Sequence, residues 1–115
     1  MKLRLTRRAR ADLAAVLKQS REQFGSEAQS RYERVLNTAM RDLAADPQRA
    51  GARAAGSSVA GVWLYHTRHA GNRMPTAVRV GRPRHLLVYR VTGDEVRVLR
   101  VLHDAMDLPE HLKDL

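Results

Sequence analysis

The order of the predicted elements indicates an α+β fold, in which an N-terminal strand and an antiparallel two-helix hairpin pack on one face of a mostly antiparallel sheet. Two observations carry this prediction. Apolar residues recur every three or four positions between residues 9 and 45, whereas short runs rich in valine and leucine follow residue 59. Helices that are separate in sequence from the main set of strands are typical of this class. At 115 residues, the chain fits one domain, 1–115.

The N-terminal half is predicted to contain a strand and two helices. Residues 2–6 alternate basic and apolar side chains, which predicts a short strand. Thr6 can cap a first amphipathic helix, and Gly25 can end it because glycine tolerates a positive φ. A second helix, capped by its first serine, follows over residues 26–45. It ends there because the residue before Pro47 resists the α conformation. Two helices joined this closely form an antiparallel hairpin.

The C-terminal half is predicted to supply the rest of a five-stranded sheet. The predicted segments are a loop of small residues at 48–58, a strand at 59–67, a polar turn at 68–75, a short β-like run at 76–80, a bend at 81–84, and two strands at 85–91 and 96–102. The last two strands flank a Gly93-Asp94 pair, which favours a tight hairpin turn.

The side chains of this last hairpin divide between two faces. If Thr92 lies opposite Glu95, alternation assigns each residue to a face. The first face is the predicted seat of the helices and carries Leu86, Val88, Arg90, Arg97, Leu99 and Val101. The second face, which is also apolar, carries His85, Leu87, Tyr89, Val91, Val96, Val98, Arg100 and Leu102. One helix pair covers one face, so we expect a partner protein on the second face. The alternative is that the central loop or the C-terminal tail folds back over it.

The charge of the chain is strongly basic and unevenly distributed. There are 21 basic and 12 acidic residues, and 18 of the basic residues are arginine. No Asp or Glu lies between Pro47 and Gly93, where there are eight arginines. Such a segment favours a polyanion or an acidic protein as its partner. A high-GC genome is an alternative explanation for the preference for arginine over lysine, but it does not explain the missing acids.

Several classes of protein are not supported by the sequence. No run of 18 apolar residues and no signal peptide is present, so we expect a cytoplasmic protein with no membrane contact. The chain has no cysteine, and His66 and His69 would point to opposite faces of a strand, so we expect no metal site. No glycine-rich phosphate loop joins a strand to a helix, and we expect no cofactor.

An ordered set of short motifs resembles a known family. The motifs are the stretch 5–13 with Asp12-Leu13, the joint Phe24-Gly25, the exit Leu43-Ala44-Ala45-Asp46-Pro47, the strand 85–91, and the strand end 99–103 running into Met106-Asp107-Leu108. Together they resemble a ParE-type toxin of the ParE/RelE superfamily of bacterial toxin–antitoxin systems. The segment 62–84 is longer and more basic than that pattern.

The resemblance implies a RelE/ParE-like fold and a function. A ParE-type toxin would inhibit DNA gyrase by protein–protein binding, causing growth arrest. A ParD-like antitoxin would neutralise the toxin in a hetero-oligomer through an acidic amphipathic C-terminal segment. The toxin would meet operator DNA only through this antitoxin. We expect the antitoxin on Leu87, Tyr89, Val98 and Arg100, and gyrase on His103, Met106, Asp107 and Leu108. We assign no catalytic residue.

The alternative is an enzyme, the ribosome-dependent mRNA endoribonuclease of the RelE branch. Proton-transfer candidates are His103, His85 and Tyr89, and phosphate-binding candidates are Arg100, Arg90 and Arg84. The acidic tail after His103 argues against this function, because its carboxylates would oppose bound phosphates. A direct nucleic-acid-binding module ranks third, since there are only five aromatic residues and no recognition-helix pattern.

Overall fold

The computed structural model describes residues 1–56, 59–75, 83–113 and 115. The elements of the described chain are β1 (Lys2–Leu5), α1 (Arg7–Phe24), α2 (Ser26–Ala45), β2 (Arg53–Ala54), β3 (Val62–His66), α3 (Arg68–Gly71), β4 (His85–Thr92), β5 (Glu95–His103) and α4 (Leu108–Leu112). The predicted α+β class is confirmed. The predicted run at 76–80 and half of the bend at 81–84 lie outside the described residues. None of the described helices has the length and apolarity needed to span a membrane.

The two long helices begin and end close to the predicted positions. The Thr6 hydroxyl accepts the N–H of Ala9 at 3.1 Å and so caps α1. Gly25 ends α1 with a φ of 94°, and its N–H donates to the carbonyl of Arg21 at 2.9 Å. The same glycine occupies the N-cap position of α2, which the sequence had assigned to Ser26. The sharp reversal between the helices therefore depends on one glycine that tolerates a positive φ.

The five described strands form one sheet in the order β1-β5-β4-β3-β2. β1 pairs in parallel with β5, and the other neighbours are antiparallel. The two-residue edge strand β2 falls in the segment that was predicted as loop. Residues 68–71, which were predicted as part of a turn, form the short helix α3.

The β4–β5 hairpin contains a β-bulge that the predicted register lacks. Thr92 lies opposite Glu95 as expected, and this register continues as far as the pair Tyr89–Val98. Val88 then pairs with Arg100, which leaves one extra residue on β5. Beyond this point the faces of β5 are exchanged relative to the prediction. Val101 joins the side covered by α1 and α2, and Leu102 lies on the opposite side.

The helices pack on the face that the sequence had assigned to a partner. We call this side the helix face. Its fully buried strand residues include Leu87, Tyr89, Val96 and Val98, which cluster with Leu36, Ala39, Met40 and Leu43 of α2. The prediction that the helices seat on Leu86 and Val88 is therefore wrong. Both faces of the hairpin are apolar. The alternation of side chains therefore shows which residues share a face, but it does not show which face the helices cover. The helices cover the face that buries the large rings of Tyr65 and Tyr89.

The opposite side, which we call the outer face, has a smaller apolar cluster. Its strand members are Val62, Leu64, Val88 and Leu102, and Leu112 of α4 packs on them. Leu108 of the same helix and the segment around Ala55 and Val59 contribute partly buried side chains. The C-terminal tail and the central loop thus cover part of the outer face. The alternative prediction had placed them over the other face, which the helices occupy instead.

Candidate functional site

Three of the four residues predicted to contact an antitoxin lie in the interior of the protein. Leu87, Tyr89 and Val98 have no exposed surface and are covered by the helices. The phenol of Tyr89 donates a hydrogen bond to the carbonyl of Pro47. Burial raises the pKa of Tyr89 to about 12. The exposed groove predicted over these residues is therefore absent from this structure, because the helices occupy that face.

The fourth predicted contact residue, Arg100, is held by α1. Its Nε and Nη2 donate to the two carboxylate oxygens of Asp12 at 2.7 and 3.0 Å. The backbone N–H of Val101 donates to the same carboxylate at 3.0 Å. The hydrogen bond to Asp12 raises the pKa of Arg100. This bidentate pair fixes the position of α1 against the bulged part of β5. Asp12 lay in the stretch that carried the family resemblance, but its partner could not be identified from spacing.

A cluster of rings lies where β4 begins and β5 ends. The Tyr32 hydroxyl accepts the N–H of Arg84 at 3.1 Å and is also hydrogen-bonded to Nδ1 of His85. His85 and His103 face each other across the strand pair, with ring centroids 5.2 Å apart. Burial, and next the neighbouring His103, lower the pKa of His85 to about 4. Burial raises the pKa of Tyr32.

Backbone N–H groups fix the proton position on two of these histidines. Nδ1 of His103 accepts from Ala105 N–H at 3.0 Å, and Nδ1 of His66 accepts from Arg68 N–H at 3.0 Å. These two rings therefore carry their proton on Nε2. A nitrogen in that state donates a hydrogen bond but neither binds a metal nor takes up a proton. In the described part of the chain, no group of three potential ligand residues could hold a metal ion.

Asp104 joins β3 to the start of the tail. Its carboxylate accepts a hydrogen bond from Nε2 of His66 at 3.0 Å, and its N–H donates to the carbonyl of Arg84 at 2.7 Å. The hydrogen bond from His66 is the largest cause that lowers the pKa of Asp104. The carboxylate remains ionised beside the His85–His103 pair. Any phosphate bound there would meet this negative charge.

The predicted gyrase-binding residues are divided between two places. His103 and Met106 line a cleft of about 400 Å³ between α1 and the strand ends, which also contains Ala15, Gln19 and His85. Met106 is 42% exposed, and Asp107 is exposed at the start of α4. Leu108 instead packs against the apolar cluster of the outer face. The tail therefore presents three of the four residues at the surface and anchors the fourth.

A second and larger concavity lies on the outer face. This groove has a volume of about 750 Å³ and runs between the central loop and α4. Aliphatic residues including Val62, Leu64 and Leu112 form its floor, and Arg53, Arg90 and Lys113 supply positive charge. No acidic residue is among its described lining residues. Sequence analysis missed this site because it placed the free surface on the wrong side of the sheet.

Part of the acid-free basic segment is neutralised within the protein. The carboxylate of Asp42 in α2 forms an ion pair with Arg73 and a second ion pair with Arg49, whose Nη1 lies 3.4 Å from Oδ1. Its carboxylate also accepts a hydrogen bond from the Tyr65 hydroxyl at 3.3 Å. Two of the eight arginines between Pro47 and Gly93 therefore serve the contact between α2 and the central segment. The side chain of Arg53, in contrast, has no ion-pair partner among the described residues.

The ribonuclease candidates are scattered over the molecule. His85 and His103 are neighbours, but Tyr89 is buried under the helices and Arg100 is bound to Asp12. Arg90 lies near the hairpin turn, where it donates to the carbonyl of Ala60 at 3.3 Å. Arg84 is the one cation of the set that lies beside the two histidines, where it precedes His85 and its charge acts on Asp104. The described residues therefore bring together only His85, His103 and Arg84 of the six candidates.

Comparison with known proteins places the chain in a family. Among solved structures, it is similar to a chain of the chromosomal ParDE toxin–antitoxin system from P. aeruginosa. That match has a TM-score of 0.55 and 25% sequence identity, and it covers 90% of this chain and 95% of the other. No curated protein matches the chain significantly. The model of the family "ParE toxin of type II toxin-antitoxin system, parDE" matches residues 3–108. The chain therefore belongs to the ParE toxin family of type II toxin–antitoxin systems.

Proposed function

We propose that this protein inhibits DNA gyrase by protein–protein binding and is neutralised by a ParD-like antitoxin in a hetero-oligomer. The observation that carries the proposal is the family match over residues 3–108. The similarity to a chain of a ParDE system extends over nine-tenths of the protein and supports an antitoxin partner. In this proposal the toxin acts in the cytoplasm, and it meets operator DNA only through the antitoxin.

The arrangement of the histidines supports a non-enzymatic mode of action. A general base in RNA cleavage needs a free nitrogen lone pair within reach of the ribose hydroxyl. Nδ1 of His85 is engaged with the Tyr32 hydroxyl, and Nδ1 of His103 accepts from Ala105 N–H. Neither Nδ1 atom is therefore free to take up a proton from a substrate. The carboxylate of Asp104 beside them would repel a scissile phosphate.

The tail is the part of the toxin that we assign to gyrase. His103 and Met106 bring an imidazole and an exposed thioether to the cleft beside α1, and Asp107 adds an exposed carboxylate at the start of α4. A flexible methionine adapts to an irregular apolar surface. In this proposal Leu108 contributes indirectly, because its contact with the outer face holds the preceding residues in position.

Supercoiling and DNA-cleavage assays with purified gyrase test this function. We expect the wild-type toxin to block supercoiling and to accumulate cleaved DNA, and we expect added antitoxin to reverse both effects. A Met106→Ala, Asp107→Ala double variant should lose most of the inhibition while still binding antitoxin. Glu110→Gln is the matched control, since this exposed residue of α4 pairs only with Lys113 among the described residues.

A translating ribosome with intact mRNA provides the decisive comparison. Cleavage of mRNA by the wild-type toxin, lost in a His103→Gln variant, would replace this proposal by the ribonuclease alternative. Unimpaired gyrase in the presence of folded toxin would remove gyrase as the target. Full inhibition by the Met106/Asp107 variant would show that gyrase binds elsewhere on the protein.

A further inference from the structure

Three arginines stand side by side across the outer face of the sheet. Arg4 of β1 lies opposite Arg97 of β5, and Arg97 lies opposite Arg90 of β4. The residues on either side of each arginine pack on the helix face, so all three side chains leave the sheet on the outer side. Neighbouring strands are about 4.8 Å apart. We call Arg4, Arg97 and Arg90 the arginine ladder.

Such an arrangement is unfavourable for the sheet alone. Like charges placed directly opposite each other destabilise a strand pair. One carboxylate offsets the ladder, because Glu95 lies 2.6 Å from Nε of Arg4 and accepts from Nη2 of Arg97 at 2.9 Å. Arg90 has a backbone carbonyl as its hydrogen-bond acceptor. The three arginines and one carboxylate therefore leave an excess of two positive charges. The side chain of Arg4 is 67% exposed, and that of Arg97 is 47% exposed.

The ladder is continuous with the apolar groove. Arg90 is both the last member of the ladder and part of the groove lining, and Arg53 lines the same groove opposite Leu64. The floor between these cations consists of Val62, Leu64 and other aliphatic side chains. The surface thus combines a row of guanidinium groups with the adjoining apolar groove.

The chemistry of this surface favours a protein segment over a nucleic acid. Binding of single-stranded nucleic acid relies on aromatic side chains on which bases stack. The sheet's aromatic residues Trp63, Tyr65 and Tyr89 all pack on the helix face, so the described outer face offers no such platform. A phosphate backbone would also gain nothing from an aliphatic trough. A polypeptide with carboxylates on one side and aliphatic residues on the other matches both halves of the surface.

We propose that the arginine ladder and the adjoining groove bind an acidic, aliphatic-rich segment of a partner protein. Resting on the proposed function, this partner is the antitoxin. Its carboxylates pair with Arg97 and Arg90, and its aliphatic side chains enter the groove between Val62 and Leu112. The ladder then makes charge-assisted hydrogen bonds that the isolated toxin lacks.

The test measures the affinity of purified full-length antitoxin for the toxin and two double variants by biolayer interferometry. The double variant Arg90→Gln, Arg97→Gln removes two of the three positive charges of the arginine ladder. Arg10→Gln with Arg34→Gln removes the same charge from exposed positions on α1 and α2 and serves as the matched control. We expect the ladder variant to bind about tenfold or more weakly, and the control to bind like the wild type. Thermal unfolding of each variant verifies that the fold is retained.

Each outcome separates this inference from the proposed function. Equal affinity of wild-type toxin and the ladder variant for antitoxin overturns the inference and leaves the proposed function standing. Equal loss in the ladder variant and the control also overturns it, since the effect would then be one of net charge. Absence of antitoxin binding by the wild type overturns both proposals. A fluorescent single-stranded oligonucleotide that binds the wild type and not the ladder variant, with antitoxin binding unchanged, would assign the surface to nucleic acid.

Discussion

Asp12 and Arg100 are 88 residues apart in sequence, and they form a bidentate ion pair that joins the first helix to the last strand. Asp12 also accepts the N–H of Val101, so one carboxylate receives three hydrogen bonds. Both side chains are largely shielded, with 13% of Arg100 and 16% of Asp12 exposed. The pair lies next to the β-bulge, where the regular pairing of β5 with β4 is interrupted. We infer that it stabilises the bulge as well as the position of α1.

Replacing Asp12 by Asn should destabilise the protein strongly. The amide keeps the size of the side chain but removes the charge, so Arg100 remains partly buried without an ionic partner. We expect the free energy of unfolding to fall by about 2–3 kcal/mol, measured by urea denaturation. Glu33→Gln, at an exposed position of α2, should change it by less than about 0.5 kcal/mol. Equal stability of the two variants would mean that the ion pair contributes little.

His85 should make the stability of the protein depend on pH. Its pKa is lowered from 6.5 to about 4 in the folded state, because burial disfavours the charged ring. The unfolded chain therefore binds more protons between these two pH values, and stability falls as the pH is lowered from about 6.5 towards 4. The loss from this residue amounts to at most roughly 3 kcal/mol. Below the folded pKa, no further loss arises from His85.

Unfolding free energies at pH 7 and pH 4.5 test this expectation. The wild type should lose more stability over this interval than a His85→Asn variant, in which the amide can still form a hydrogen bond with Tyr32. His111→Asn, at a partly exposed position of α4, should keep the wild-type dependence. An unchanged pH slope in the His85 variant would show that the ring is protonated at an ordinary pKa.

Leu112 should anchor the C-terminal helix to the outer face. Its side chain is 5% exposed and packs with Val62, Leu64, Val88 and Leu102. We expect Leu112→Ala to lower the free energy of unfolding by about 2 kcal/mol, at the low end for a buried leucine because a five-residue helix can shift to fill the space. Leu115→Ala, at a position that is 38% exposed, should have a much smaller effect. A negligible effect of Leu112→Ala would mean that α4 does not pack on the sheet in solution.

The amino-acid sequence by itself determined the fold class, the two long helices and the last hairpin, but not the short elements β2, α3 and α4. Thr6, Gly25 and Pro47 delimit the two helices through local backbone preferences, which act over a few residues and can be recognised in sequence. The Gly93-Asp94 turn and the apolar runs beside it predict the last hairpin for the same reason. The order of these motifs also indicated the ParE family, which the family match confirms.

Only the tertiary structure decided which face of the sheet is covered and which is free. Both faces of the last hairpin are apolar, so alternation divides the residues but does not choose a side for the helices. One extra residue at the bulge then exchanged the faces of Val101 and Leu102, and no local signal marks it. Contacts between distant segments, such as Asp12 with Arg100 and Tyr32 with His85, follow from this choice. The arginine ladder is of the same kind, since Arg4, Arg97 and Arg90 become neighbours only when three strands align in register.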